Sequence, residues 1–349
     1  MHRTVSRLKS LWYKVTHWEF WPFAVLYFPV NFYYPWLAFR CQSLFFFTAA
    51  NPSIDFGGML GESKSAIFDL IPEKYLPAYR LIAPGDESAA KTFAQQIGYP
   101  LIAKPDIGER GKLVEKINDE QALEKYLAKC PVPLLMQAFV SFPLELGVFF
   151  VKHPNNAEGR ITSIVEKDFM SVVGDGHHTV KQLLDSNPRA LLQIDTNHPR
   201  FQLLLEEIPQ KGKKVTVEGI GNHCRGTTFL NANNRITGQL NSTFNTIAKG
   251  IKDFHFGRFD LRCTSWSDLE EGKNIMILEL NGAGAEPGHI YQPGYSLWKG
   301  YRAIFWHLST LAEISRANRK KGIPYWTFAQ GWKKMKTIRA YNRKIESAL

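Results

Sequence analysis

A mixed α+β body is the fold class this sequence predicts, on three observations. Between about residues 56 and 310, strand-like apolar runs alternate with helix-like amphipathic ones. The chain has 349 residues, 44% of them hydrophobic, enough for one large domain or two to three smaller subdomains with cores of their own. Two apolar runs, GRFDLRC (257–263) and NIMILELNG (274–282), flank TSWSDLEEGK, a natural reversal, so they are expected to pair antiparallel.

Along the chain, Asp86 opens a helix that Gly98 closes. LIAKP (101–105) is a short strand. Asn118 with Gln121 matches a capping box, and the helix behind it turns Leu123, Tyr126 and Leu127 inward. LLMQAFV (134–140), GVFFV (147–151) and ITSIVEK (161–167) are strands, and Thr179 caps a helix with Val180, Leu183 and Leu184 inward. The division this suggests is an N-terminal segment 1–55, a smaller lobe 56–170, a larger lobe 171–310 and a C-terminal helix 311–349.

Chemistry begins with carboxylates inside apolar strands. Residues i and i+2 of a strand share a face, so Glu279 and Asn281 point one way, and antiparallel pairing brings Asp260 opposite them. Two carboxylates and an amide oxygen form a hard, all-oxygen set suited to Mg²⁺. A structural ion pair with Arg258 or Arg262, or a solvated face, stays open at this point. Upstream, Lys104 ends a strand and leads into a loop with Gly108 and Gly111. Glycines let backbone N–H groups approach a phosphate and lysine supplies countercharge, though ordinary loops share this composition. Glu145 is the single charge in 134–150: a strand edge can meet an adenine ring and an acid beyond it the ribose hydroxyls, or Glu145 is an exposed turn residue. Lys167 leaves a strand before a Gly-Asp-Gly turn, near a phosphate or on the surface. His177 and His178 have no metal-ligand spacing around them.

In this order the motifs resemble the ATP-grasp superfamily, over roughly residues 62–300. The likeness is to D-alanine–D-alanine ligase and to the ligase part of cyanophycin synthetase and the fused bacterial glutathione synthetases. It implies an ATP-grasp fold: two α/β subdomains with ATP between them, ATP and Mg²⁺ (two ions) as cofactors, and carboxylate–amine ligation through an acyl phosphate. By resemblance Lys64 and Lys104 bind phosphates and Gly108 to Gly111 close over them. Gln137 to Val140 form the adenine hinge with Phe139 stacked on the base, and Glu145 takes the ribose. Lys167 sits near the γ-phosphate, Arg258 holds the transferred group, Arg225 binds either a carboxylate or the transferred phosphate, and Asp260, Glu279 and Asn281 hold Mg²⁺.

This sequence departs from the family at three places. The hinge opens with Gln137 instead of glutamate, only about sixty residues precede Lys64, and GAGAEPGHIY comes after Asn281. Within that last stretch Glu286 and His289 are expected on the substrate side, where Glu286 either attracts an amine or has a structural role. The partners implied are a small carboxylate and an amine, an amino acid or a lipid-linked one. Dimers are common in the family, so a homodimer stays open. A phosphotransferase on the same scaffold and a non-catalytic membrane-associated ATP-binding module are the alternatives.

Both ends are basic. The net charge is +11, and from Arg316 onward there are ten Lys or Arg against one acid, Glu346; Arg3, Arg7, Lys9 and Lys14 stand near the start. This suggests an anionic partner, a membrane surface before nucleic acid, since no reading motif accompanies the charge. Residues 20–39 carry no charge, but Pro22, Pro29 and Pro35 interrupt them and Trp, Tyr and Phe dominate, a composition for the headgroup level. A single crossing would also part a basic N-terminus from a body that needs cytoplasmic ATP. An interfacial or re-entrant segment is expected, with a buried aromatic arm as the alternative. In the tail, Phe328, Trp332, Met335, Ile338 and Ile345 share one helical face, for either a membrane surface or docking on the body. The location expected is cytoplasmic, peripheral on the inner face of the plasma membrane. Cys41, Cys130, Cys224 and Cys263 form no CxxC pair and are expected as free thiols.

Overall fold

The computed structural model describes residues 12–108, 111–194, 201–219, 221 and 226–347. It is α+β, and the strand pairs in its three sheets are antiparallel.

The uncharged run at 20–39 does not become one helix. It yields α1 (Phe23–Leu26) and α2 (Val30–Cys41), with Pro22 and Pro29 at their N-caps and Pro35 inside α2. Among the described residues no helix is long and apolar enough to cross a membrane. One face of this arm buries Leu26, Leu37, Ala38 and Cys41, and Tyr33 shares a hydrogen bond with Ser309 at 2.6 Å. The other face leaves Phe32 69% and Phe39 82% exposed. The packed face is what the buried-arm alternative expects.

Asn51, fully buried, fastens the chain beyond the arm to the second sheet. Its Oδ1 accepts from the backbone of His255 and Phe256, and its Nδ2 donates to Phe256 O and Gly57 O. Gly58, at φ +73°, passes so close to Gly282 that a Cβ would lie 2.7 Å from the Gly282 Cα. Ser63 then caps α3 (Lys64–Phe68).

The smaller lobe contains β1 (Tyr79–Ile82), α4 (Glu87–Ile97), β2 (Leu101–Pro105), β3 (Glu115–Ile117), α5 (Glu120–Lys129) and β4 (Leu134–Ala138), with sheet order β1-β4-β2-β3. Asp86 caps α4 and Gly98 ends it. The cap of α5 is Asp119, whose side chain accepts from Ala122 N, so the helix starts one residue later than an Asn118 box requires.

The second sheet uses β5 (Leu144–Val151) and β6 (Arg160–Asp168). Next is a small unit of β7 (Ser171–Val173), α6 (Val180–Asp185), α7 (Pro188–Gln193), α8 (Gln202–Glu206) and β8 (Lys214–Thr216). Then come β9 (Thr228–Asn231), α9 (Gly238–Lys249), β10 (Phe256–Cys263), α10 (Trp266–Glu271) and β11 (Ile275–Asn281). The order of the second sheet is β11-β10-β5-β6-β9. This corrects the division at residue 170. The chain leaves the first sheet after Ala138, and β5 and β6 join the second sheet by pairing with β10 and with each other. Leu146, Val148, Phe150, Ile164, Phe259 and Leu261 meet Leu240, Phe244 and Ile247 of α9 in the largest core.

The expected boundary at 310/311 also moves. One helix, α11 (Leu297–Lys320), runs across it; the chain turns at Gly322, φ +94°, and resumes as α12 (Phe328–Glu346). The apolar face of α12 docks: Gly331 lies against Phe45, Ile338 against Gly61, and Ile345 joins the smaller lobe's core. Docking, not a free membrane face, accounts for most of its spacing, although Phe328 and Trp332 stay exposed.

Candidate active site

Alternation along β10 sends Phe259 and Leu261 into the core and Arg258, Asp260 and Arg262 to the opposite face. Asp260 pairs with Glu279 on one side and Gly147 on the other; Arg258 stands opposite Asn281, and Arg262 opposite Glu145. Lys167 completes a ladder of charges from β6. Asp260 receives Arg258 Nη2 at 2.9 Å, Lys167 Nζ at 3.1 Å and Asn281 Nδ2 at 3.0 Å. Glu145 receives Arg262 Nε at 2.7 Å and Lys167 Nζ at 3.3 Å, so it is no exposed turn residue.

Burial alone would raise the Asp260 pKa, but the charges of Arg258 and Lys167 outweigh it and hold the carboxyl below its ordinary value. The same contest ends the other way for the cations: burial opposes their charge, yet Asp260 holds Arg258 above its ordinary value, and Asp260 with Glu145 does the same for Lys167. Both acids are therefore already balanced, with one cation in common between them.

Facing this ladder across a cavity of about 810 Å³ is the smaller lobe. Lys64 Nζ donates to Gly108 O at 2.7 Å, which ties it to the glycine loop, and Lys104 Nζ donates to Leu278 O at 3.0 Å, which ties β2 to β11. Burial, and next to it Lys64, act against the Lys104 charge, while Glu279 supports it; its pKa falls to about 8. A buried, underpaired lysine is poised to gain from an anion. Gln137 is 3% exposed and its Oε1 has no hydrogen-bond partner among the described residues. It lines the cavity with Phe139 and Val140, where an amide oxygen accepts from an amino group such as adenine's.

The structure brings Lys64, Lys104, Gly108, Gly111, Gln137, Phe139, Val140, Glu145, Lys167, Arg258, Asp260, Glu279, Asn281 and Glu286 to the wall of one cavity. Arg225 lies outside the described residues. His289 is a correction: it is buried away from the cavity, its Nδ1 2.7 Å from Ser163 Oγ, and burial lowers its pKa to about 4. It packs as a core histidine and does not line the cavity. The sequence marks Arg262 only as an ion-pair partner, yet its Nη1 reaches Val140 O at 2.6 Å and so joins the ladder to the segment after β4. Its spacing of two from Asp260 and four from Arg258 is the available signal. Glu19, Trp21, Phe23 and Leu26 also line the cavity, and no local sequence signal points there.

The donor set fits a Mg²⁺ ion that arrives with phosphates. Glu279 lines the cavity and makes no hydrogen bond or ion pair with the described residues. The Asn281 amide, anchored through Nδ2, keeps its oxygen available. Asp260 is the third oxygen donor, now shared with its two cations. Among the described residues no cluster of three His, Cys, Asp or Glu forms a metal site; the amide is needed to make up the set.

No family model matches the chain, and no curated protein does. Among solved structures it is similar to D-alanine–D-alanine ligase from Bacillus anthracis complexed with ATP, at 12% identity and TM-score 0.43, covering 74% of this chain and 68% of that one. It is similar to VanG D-Ala:D-Ser ligase from Enterococcus faecalis at 14% identity and TM-score 0.43, covering 75% and 62%. For a bifunctional glutathione synthetase from Pasteurella multocida the figures are 14%, 0.37, 70% and 35%, so the chain spans about a third of that protein's length.

Proposed function

We propose that this chain is an ATP- and Mg²⁺-dependent ligase of the ATP-grasp kind, joining a carboxylate to an amine through an acyl phosphate. The observation that carries the reading is the convergence of five cations, Lys64, Lys104, Lys167, Arg258 and Arg262, with Asp260, Glu279 and Asn281 on one cavity between two antiparallel sheets.

In this reading Gln137, Phe139 and Val140 take the base. Lys64 and Lys104 hold the phosphates from the smaller lobe, and Lys167 and Arg258 receive the transferred group from the sheet. Glu279, Asn281 and Asp260 would hold Mg²⁺, and the bound ion would supply neutralisation of phosphate charge. Catalysis is then positioning and charge neutralisation. Arg258, clamped by Asp260, is preorganised instead of recruited. The cavity walls keep water from the activated carboxylate. ADP release from Mg²⁺ATP, screened over paired carboxylates and amines, tests the reading. Amide product supports it, whereas a stable phosphoester would make the chain a phosphotransferase.

The exposed face of the arm supports a peripheral membrane position as well. Phe28, Phe32, Trp36 and Phe39 stand outward beside Arg40, whose guanidinium lies 4.9 Å from the Trp36 ring. Aromatics beside a cation suit the headgroup level of an anionic bilayer, on the side where ATP is found. Flotation with anionic liposomes, lost on replacing Phe32 and Phe39 by Ser, is the expected outcome; equal flotation would remove the membrane from the account.

A further inference from the structure

The arm supplies one wall of the cavity, and that wall holds a carboxylate oxygen with nothing to bind. Glu19 is 6% exposed, lines the cavity, and its Oε1 has no hydrogen-bond partner among the described residues. Burial raises its pKa, and of the charged groups acting on it, His17 and Arg189, neither makes an ion pair with it. Arg189 instead lies over the Phe20 ring at 5.2 Å and donates Nη2 to Thr227 O. An orphaned carboxylate oxygen in a cavity wall costs free energy that a cationic ligand removes.

The arm is fixed where this matters. Trp18 Nε1 donates to Tyr295 O at 2.6 Å and its ring lies 5.9 Å from that of Tyr291. The Tyr291 hydroxyl donates to Glu286 Oε2 at 2.9 Å. Trp21, Phe23 and Leu26 add apolar surface to the same cavity. On the sheet Asp260 and Glu145 are ion-paired with Arg258, Arg262 and Lys167, whereas Glu19 on the arm makes no ion pair with the described residues.

We propose that the arm-lined wall of the cavity is a subsite for a primary amine bound as its ammonium ion on an apolar body, with Glu19 as the residue that receives the ammonium. Its role as the acceptor subsite rests on the ligase reading; the binding itself does not. Glu19 selects against carboxylates and phosphates there and favours amines, while Trp21, Phe23 and Leu26 cover the aliphatic or aromatic remainder.

The test is calorimetric titration of the full chain, with Mg²⁺ADP present, by hexylamine, hexanol and hexanoate. Hexylamine should bind the wild-type protein at least about tenfold more tightly than hexanol, the difference of one charge-assisted hydrogen bond. Glu19→Gln, which keeps the shape, should remove that preference and leave ADP affinity unchanged. Equal binding of hexylamine and hexanol by the wild type, preference for hexanoate, or an unaltered preference in Glu19→Gln overturns the proposal. The comparison among ligands needs no variant, so misfolding of one does not blunt it. The two readings fail separately: no carboxylate–amine pair releasing ADP sinks the ligase alone, and amine binding indifferent to Glu19 sinks the subsite alone.

Discussion

Gly147 stands directly opposite Asp260 across the β5–β10 pair, and a Cβ on it would lie 3.1 Å from Asp260 Oδ1 and 2.8 Å from Val165 Cγ1. The absent side chain is the space in which Asp260 meets Arg258. Gly147→Ala is therefore expected to destabilise the fold by about 1–3 kcal/mol, the usual cost of overpacking. It should also weaken nucleotide binding, because Asp260 must shift. Val165→Ala in the same chain should recover stability but not affinity. Chemical denaturation and ATP titration read the two effects, and a wild-type melt for Gly147→Ala would contradict the crowding.

Lys104 is buried with one backbone acceptor and Lys64 nearby. Lys104→Met keeps the stem and removes the charge, so thermal stability should hold or rise. ATP affinity should fall by about 10- to 100-fold, the value of one charge-assisted contact. Parallel melts and ATP titrations check this. Unchanged affinity would take Lys104 out of the phosphate site.

Arg262 and Glu145 are buried partners, and Arg262 also donates to Val140 O beyond β4. Glu145→Leu strands the guanidinium and should cost about 3–5 kcal/mol, whereas Glu145→Leu with Arg262→Met should cost distinctly less. A double-mutant cycle by denaturation gives the coupling; additive losses would mean the pair is not a unit.

The pH dependence of stability should be set in part by two core histidines. His307 Nδ1 donates to Ala303 O at 2.7 Å, which leaves Nε2, 3.0 Å from Thr162 Oγ1, as the acceptor. Burial lowers the pKa of His307 and of His289 to about 4. The unfolded chain takes up these protons near pH 6.5 and the folded chain does not until about pH 4, so stability is full above 6.5 and falls as pH drops through that window. Each histidine contributes roughly 3 kcal/mol at most, and the two are near enough to interact. His307→Phe should flatten the slope of unfolding free energy against pH between 6.5 and 4; an unchanged slope would remove His307 from the account.

The sequence made the strands of the site legible because each carries period-two chemistry: Asp260 with Arg258, Glu279 with Asn281. Helix boundaries were legible where a cap residue stood alone, as at Asp86 and Thr179, and slipped by one where Asn118 and Asp119 compete. The lobe division was misplaced because GVFFV comes soon after LLMQAFV, and nothing local says that the chain changes sheets between them. The arm's part in the cavity was hidden for the same reason. Glu19 comes to the wall through Trp18–Tyr295 and Trp18–Tyr291 contacts some 270 residues apart in the chain, a relation that periodicity does not carry.

The most direct test of the central claim is the Mg²⁺ dependence of ATP binding in the wild type and in Glu279→Gln. The wild type is expected to bind ATP with Mg²⁺ at least about tenfold more tightly than with EDTA, about 1.4 kcal/mol, and Glu279→Gln to lose this gain while keeping its fold. A folded wild type that binds no ATP, or a Mg²⁺ gain untouched by Glu279→Gln, would contradict it.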